Sequence, residues 1–119
     1  MRAAYSTVSA GAPPLAVGSS GTKLTASVVF GHGLGDTAQG WREPATWWAS
    51  RLPWVRFLLL NSPSRPVSLN NGFVLPAWYD IVGLDERSNE NCAGIEESRA
   101  RIAQILQKEH EATGLPYSR

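Results

Sequence analysis

Apolar and polar positions along the chain fall into a few short blocks. Residues 24–30, Leu-Thr-Ala-Ser-Val-Val-Phe, are β-branched near their end and closed off by Gly31, which predicts a strand buried on both faces. Residues 54–60, Trp-Val-Arg-Phe-Leu-Leu-Leu, form a second apolar run of strand length. Between them, Pro44 and residues 45–51 suit a short helix that begins at a proline, offers Trp47 and Trp48 for packing, and stops at Pro53. Strand, helix, strand is the pattern of a parallel sheet with a helical crossover.

Past residue 60 the period is lost. Asn61-Ser62-Pro63-Ser64-Arg65-Pro66 reads as an extended loop. Residues 67–87 show neither period, yet Phe73, Val74, Leu75, Trp78, Tyr79 and Ile81 are too apolar for an idle linker, so a loop lining a pocket is expected. Helical spacing returns over residues 91–113, where Ile95, Ile102, Ile105 and Leu106 form a stripe. Ser88 or Asn89 is placed to cap its start, Glu90, Glu96 and Glu97 lie toward the positive end of its dipole, and Lys108 and His110 toward the negative end. Gly114 and Pro116 close it, and Glu97 and Arg101, four apart, form an expected surface ion pair.

Before the first strand, residues 9–20 are rich in Gly, Pro, Ala and Ser and offer little to pack. The organisation expected is a flexible leader over residues 1–21 and one α/β domain over residues 22–119. Residues 2–35 carry no acid, a faint likeness to an organelle transit segment, but the leader describes them better.

Charge changes the picture little. Eleven basic against ten acidic residues give a formal charge of +1, with no electrostatic footprint for nucleic acid or an anionic membrane. A single cysteine, Cys92, and no Asn-x-Ser/Thr site argue against a secreted disulfide scaffold and for a reducing compartment. No apolar stretch approaches the roughly 20 residues that span a bilayer, and Arg2 stands where myristoylation requires glycine. A soluble cytoplasmic chain without a stable membrane anchor is expected.

Chemistry concentrates where the first strand ends. Residues 31–41, Gly-His-Gly-Leu-Gly-Asp-Thr-Ala-Gln-Gly-Trp, let main-chain N–H groups come close to an anion or to a developing oxyanion. The glycine spacing does not match the dinucleotide fingerprint, and no P-loop Gly-Lys-Ser/Thr follows. Asp85, Glu86 and Glu90 lack the order of a calcium loop and read as a solvated face. Cys92 has no neighbour in sequence that would activate it.

Several motifs together resemble one family. Phe30-Gly31-His32-Gly33-Leu34-Gly35-Asp36-Thr37 with Gly40-Trp41, then Pro63-Ser64-Arg65-Pro66-Val67-Ser68-Leu69-Asn70, then Pro76-Ala77-Trp78-Tyr79-Asp80-Ile81, then Gly94-Ile95, resemble in order the landmarks of the acyl-protein thioesterases and related carboxylesterases. Gly31 stands where that family usually has a bulky apolar residue, and Tyr79 where it has Phe. The resemblance covers residues 24–119 and implies the N-terminal half of an α/β-hydrolase fold, a mostly parallel sheet with flanking helices, cut before the nucleophile elbow.

The resemblance also implies roles. The main-chain N–H of Leu34 would be one of two oxyanion-hole donors, and Trp78, with Phe73 and Leu75, would flank the acyl chain. It places the catalytic His and acid downstream, so His32 and Asp80 are read as structural and His110 as a dipole partner. The parent would cleave acyl-protein or lipid ester substrates without metal or cofactor. No Gly-x-Ser-x-Gly occurs in the 119 residues, so no catalytic residue is assigned and this chain by itself is expected to be inactive. An open sheet edge beside residues 24–30 would leave it poorly stable and prone to self-association. A non-catalytic fragment that binds an acyl chain or a protein is the alternative.

Overall fold

A computed structural model describes residues 9–19, 23–85, 87 and 91–119. Five strands and two helices follow in the order β1 (Leu15–Gly18), β2 (Ala26–Phe30), α1 (Arg42–Arg51), β3 (Val55–Leu59), β4 (Ser64–Val67), β5 (Phe73–Pro76) and α2 (Ile95–Thr113). The three-stranded sheet runs β1-β3-β2, with β2 parallel to β3 in the register Val28 to Phe57 and β1 antiparallel to it in the register Val17 to Phe57. The expected strand, helix, strand unit is therefore present, with α1 as its crossover.

Alternation along the strands divides the two faces of the sheet. Phe30, Phe57 and Leu59 face α1, where Trp41 and Trp48 stack among them with ring centroids 4.6 to 6.2 Å apart. Ala45 and Leu59 are fully buried there, because a small residue on the helix lets it sit close to the strand. Ser27, Val29, Arg56 and Leu60 face α2 instead. Across that face Glu109 of α2, itself buried, accepts from Ser27 Oγ at 2.6 Å and meets Arg56 Nε at 3.2 Å.

Four expectations are corrected. Residues 15–18, assigned to a leader by composition, are β1; Leu15 and Val17 pack on the α1 core, and pairing with β3 supplies the backbone bonds that composition could not foretell. Residues 64–67 and 73–76, read as loop, form an antiparallel hairpin, with a left-handed Asn71 (φ 57°) at the turn. Helix α2 begins at Ile95 after a left-handed Gly94 (φ 96°), not at residue 91. The proposed caps Ser88 and Asn89, and Glu90 with them, lie outside the described residues. The Glu97–Arg101 pair gives way to longer-range contacts: Arg101 donates to the carbonyls of Ala10 and Ala12, and Glu97 faces Arg65 at 3.9 Å.

Strand β2 lies at an edge of the sheet. On its outer side Ser27 N donates to Arg119 O at 2.9 Å, so the end of the described chain touches that edge. No helix among the described residues is long and apolar enough to cross a membrane.

Candidate active site

The loop after β2 is tied on every side. Asp36 N donates to Gly33 O at 3.2 Å, closing a turn that Gly35 passes at φ 80°, a conformation costly for any side chain. Gly35 N donates to Pro76 O at 2.8 Å, which joins the turn to the end of β5. Farther along, Ala38 N donates to Asn61 Oδ1 at 2.9 Å, and Asp36 Oδ1 accepts from Thr37 N.

His32 sits beneath this turn, 4% exposed, with both ring nitrogens engaged. Ser62 N can only donate, so Nε2 accepts from it at 3.1 Å; Gly33 O can only accept, so Nδ1 carries the proton and donates to it at 2.7 Å. The ring is a neutral brace with no nitrogen left over to take a proton from a nucleophile, which agrees with a structural role.

That brace has a consequence for Leu34. A trans peptide points its C=O and N–H in opposite directions. Gly33 O is held by His32 Nδ1–H and Asp36 N–H, so the Leu34 N–H in the same peptide unit is turned away from both. No hydrogen bond among the described residues engages it, and Leu34 is 38% exposed. The Leu34 N–H is thus left without a partner among the described residues, on a backbone held from several sides.

Beside the loop, Trp78 forms part of an open apolar groove of about 640 Å³ with Val29, Leu60, Ile95, Ile102 and Leu106. Ile95, Ile102 and Leu106 of the helical stripe read from the sequence therefore line a groove, though Ile105 does not; the buried positions of α2 are Ser98 and Glu109. Phe73 and Leu75 do not share this groove with Trp78. Phe73 stands 72% exposed on β5 and Leu75 is half-buried two residues on. Asp80 anchors its own segment, accepting from Ser68 N at 2.8 Å and Ser68 Oγ at 2.6 Å. His110 Nδ1 lies 2.6 Å from Leu115 O at the end of α2, and its ring stacks on Tyr117.

Sequence reasoning missed the second layer of this site. Arg65, only 6% exposed, donates from Nε to Ala77 O at 3.2 Å, and Ser98 Oγ donates to Trp78 O at 2.5 Å. Asn61 and Ser62 hold the loop from β3's end. The sequence signals available were that Asn61 and Ser62 are polar residues following a buried strand and that Arg65 lies within a stretch resembling the family's landmarks. Among the described residues no group of three or more His, Cys, Asp or Glu side chains could hold a metal ion.

Comparison with known proteins agrees with this architecture. The phospholipase/carboxylesterase family profile matches residues 13–119. Acyl-protein thioesterase 1 of Mycosarcoma maydis is 42% identical over 97 residues, covering 79% of this chain and 40% of that protein. The Neurospora crassa protein of the same name is 41% identical over 114 residues, covering 90% and 46%. In structure, acyl-protein thioesterase 2 of Zea mays superposes with a TM-score of 0.69 at 32% identity, over 79% of this chain and 39% of that one. The chain spans less than half the length of these relatives.

Proposed function

The chain belongs to the phospholipase/carboxylesterase family, with a partial α/β-hydrolase fold, and on that premise we propose that it is the N-terminal part of a serine hydrolase cleaving acyl thioesters or esters. The observation that carries this reading is the free Leu34 N–H on a braced loop. Acyl-protein thioesterases are among its relatives, which favours an acylated protein or a lipid ester as the parent's substrate.

In this mechanism a serine oxygen attacks the acyl carbon while a histidine takes its proton, and the carbonyl oxygen becomes an anion. Leu34 N–H and one N–H beside the serine receive it; losing one such donor costs about 100- to 1000-fold in rate. The chemistry requires no metal or cofactor. Trp78 supplies apolar wall for the acyl chain, whereas Phe73 and Leu75 lie outside that groove and are given no part in it. These 119 residues hold no Gly-x-Ser-x-Gly, so the chain alone is inactive in this reading, and the single cysteine favours a reducing compartment such as the cytoplasm. The outer edge of β2 gives it a route to self-association.

The test is a chimaera in which residues 13–119 replace the matching segment of the Mycosarcoma maydis relative. Hydrolysis of an acyl thioester well above background, with labelling by a fluorophosphonate, is the expected result; the 119-residue chain alone shows neither. A folded chimaera without turnover contradicts the reading. The open groove favours a second one, a non-catalytic fragment that holds an acyl chain, and retention of a radiolabelled fatty acid by the chain alone would support it.

A further inference from the structure

We propose that Trp78 is a positioning residue for the loop that carries the Leu34 amide, an inference that rests on the role given to Leu34 above. Its indole Nε1–H donates to His32 O at 2.8 Å, two residues before Leu34. The ring lies over Gly31, 3.4 Å from where a Cβ would stand, and its centroid is 5.3 Å from that of the His32 ring. His32 is thus held twice: Trp78 fixes its carbonyl, and Ser62 N and Gly33 O fix its ring. Both constraints are needed, because the ring can aim Gly33 O, and with it the Leu34 N–H, only if the main chain of His32 stays in place.

Trp78 is itself anchored from behind. Ala77 N donates to Pro63 O at 2.9 Å, Arg65 Nε donates to Ala77 O, and Ser98 Oγ on α2 donates to Trp78 O. Ala77 itself is 1% exposed. Hairpin and helix together therefore present one N–H donor to a loop 46 residues away in sequence. The same ring forms part of the groove wall, so whatever fills the groove touches the group that holds the loop.

Amide and indole hydrogen exchange, followed by ¹⁵N NMR on the 119-residue chain, tests the proposal without any turnover. In the unaltered chain the Trp78 indole N–H exchanges at least about tenfold more slowly than that of Trp47, which is largely exposed. Trp78→Phe keeps a ring but removes the donor. It shifts the Leu34 amide resonance and speeds exchange at Gly35 about tenfold, while the β3 amides of Phe57 and Leu58 stay within about twofold.

Equal exchange of the Trp78 and Trp47 indoles overturns the proposal, as do unchanged Leu34 and Gly35 signals in Trp78→Phe. If that variant loses the β3 protection as well, the indole comparison in the unaltered chain decides. The chimaera assay separates this inference from the reading beneath it: Trp78-dependent loop order with an inactive chimaera keeps the positioning role and removes the catalytic one.

Discussion

The loop at residues 31–38 and the β4–β5 hairpin are joined by the bond from Gly35 N to Pro76 O, yet they are built in opposite ways. In the loop, His32 is buried with both ring nitrogens bonded, and the turn is fixed by contacts from β3, β5 and Trp78. At the far end of the hairpin, Phe73 and Val74 are 72% and 53% exposed. The difference teaches where order is invested. A main-chain donor aimed at one point needs a backbone that does not reorganise, whereas exposed apolar side chains at a hairpin tip make no such demand.

His32→Ala probes the ordered side and has the larger expected effect. It strands the buried Ser62 N–H and removes the hold on Gly33 O, for a loss of about 2 to 3 kcal/mol read from the denaturation midpoint. A loss below about 0.5 kcal/mol, the size expected of an ordinary surface change, would erase the contrast. Phe73→Ser probes the exposed side. Stability within about 0.5 kcal/mol of the unaltered chain is expected there, and a loss near that of His32→Ala would show the hairpin tip to be as fixed as the loop.

Much of this was legible in the sequence, for reasons that differ by region. Residues 24–30 and 54–60 announced β2 and β3 by their apolar runs, and Pro44 and Pro53 bracketed α1; β3 is buried almost throughout, whereas β2, at the sheet edge, is only half-buried with Val28 exposed, short of the burial on both faces expected of it. β1 was hidden because only Leu15 and Val17 carry its packing within a glycine- and proline-rich stretch. The hairpin was hidden because Pro66 interrupts one strand and exposed residues fill much of the other. Helix α2 begins late because its last preceding residue is a left-handed glycine, whereas the sequence pointed to polar caps upstream.

In the site itself, the glycine-rich pattern pointed to the Leu34 loop, and His32 was readable as structural. What could not be read was the bond from Trp78 to His32 O, or that from Arg65 to Ala77 O, since both depend on the hairpin returning to the sheet. The expected Glu97–Arg101 pair failed for a similar reason: each side chain has a partner from a distant segment.

The proposed function turns on Leu34 contributing one N–H to an oxyanion. Its most direct test replaces the peptide bond between Gly33 and Leu34 with an ester in the chimaera, deleting that hydrogen-bond donor while retaining the Leu34 side chain. The expected result is that kcat for an acyl thioester falls about 100- to 1000-fold with KM nearly unchanged, the mark of an interaction made in the transition state. An unchanged kcat in the folded ester variant would contradict it.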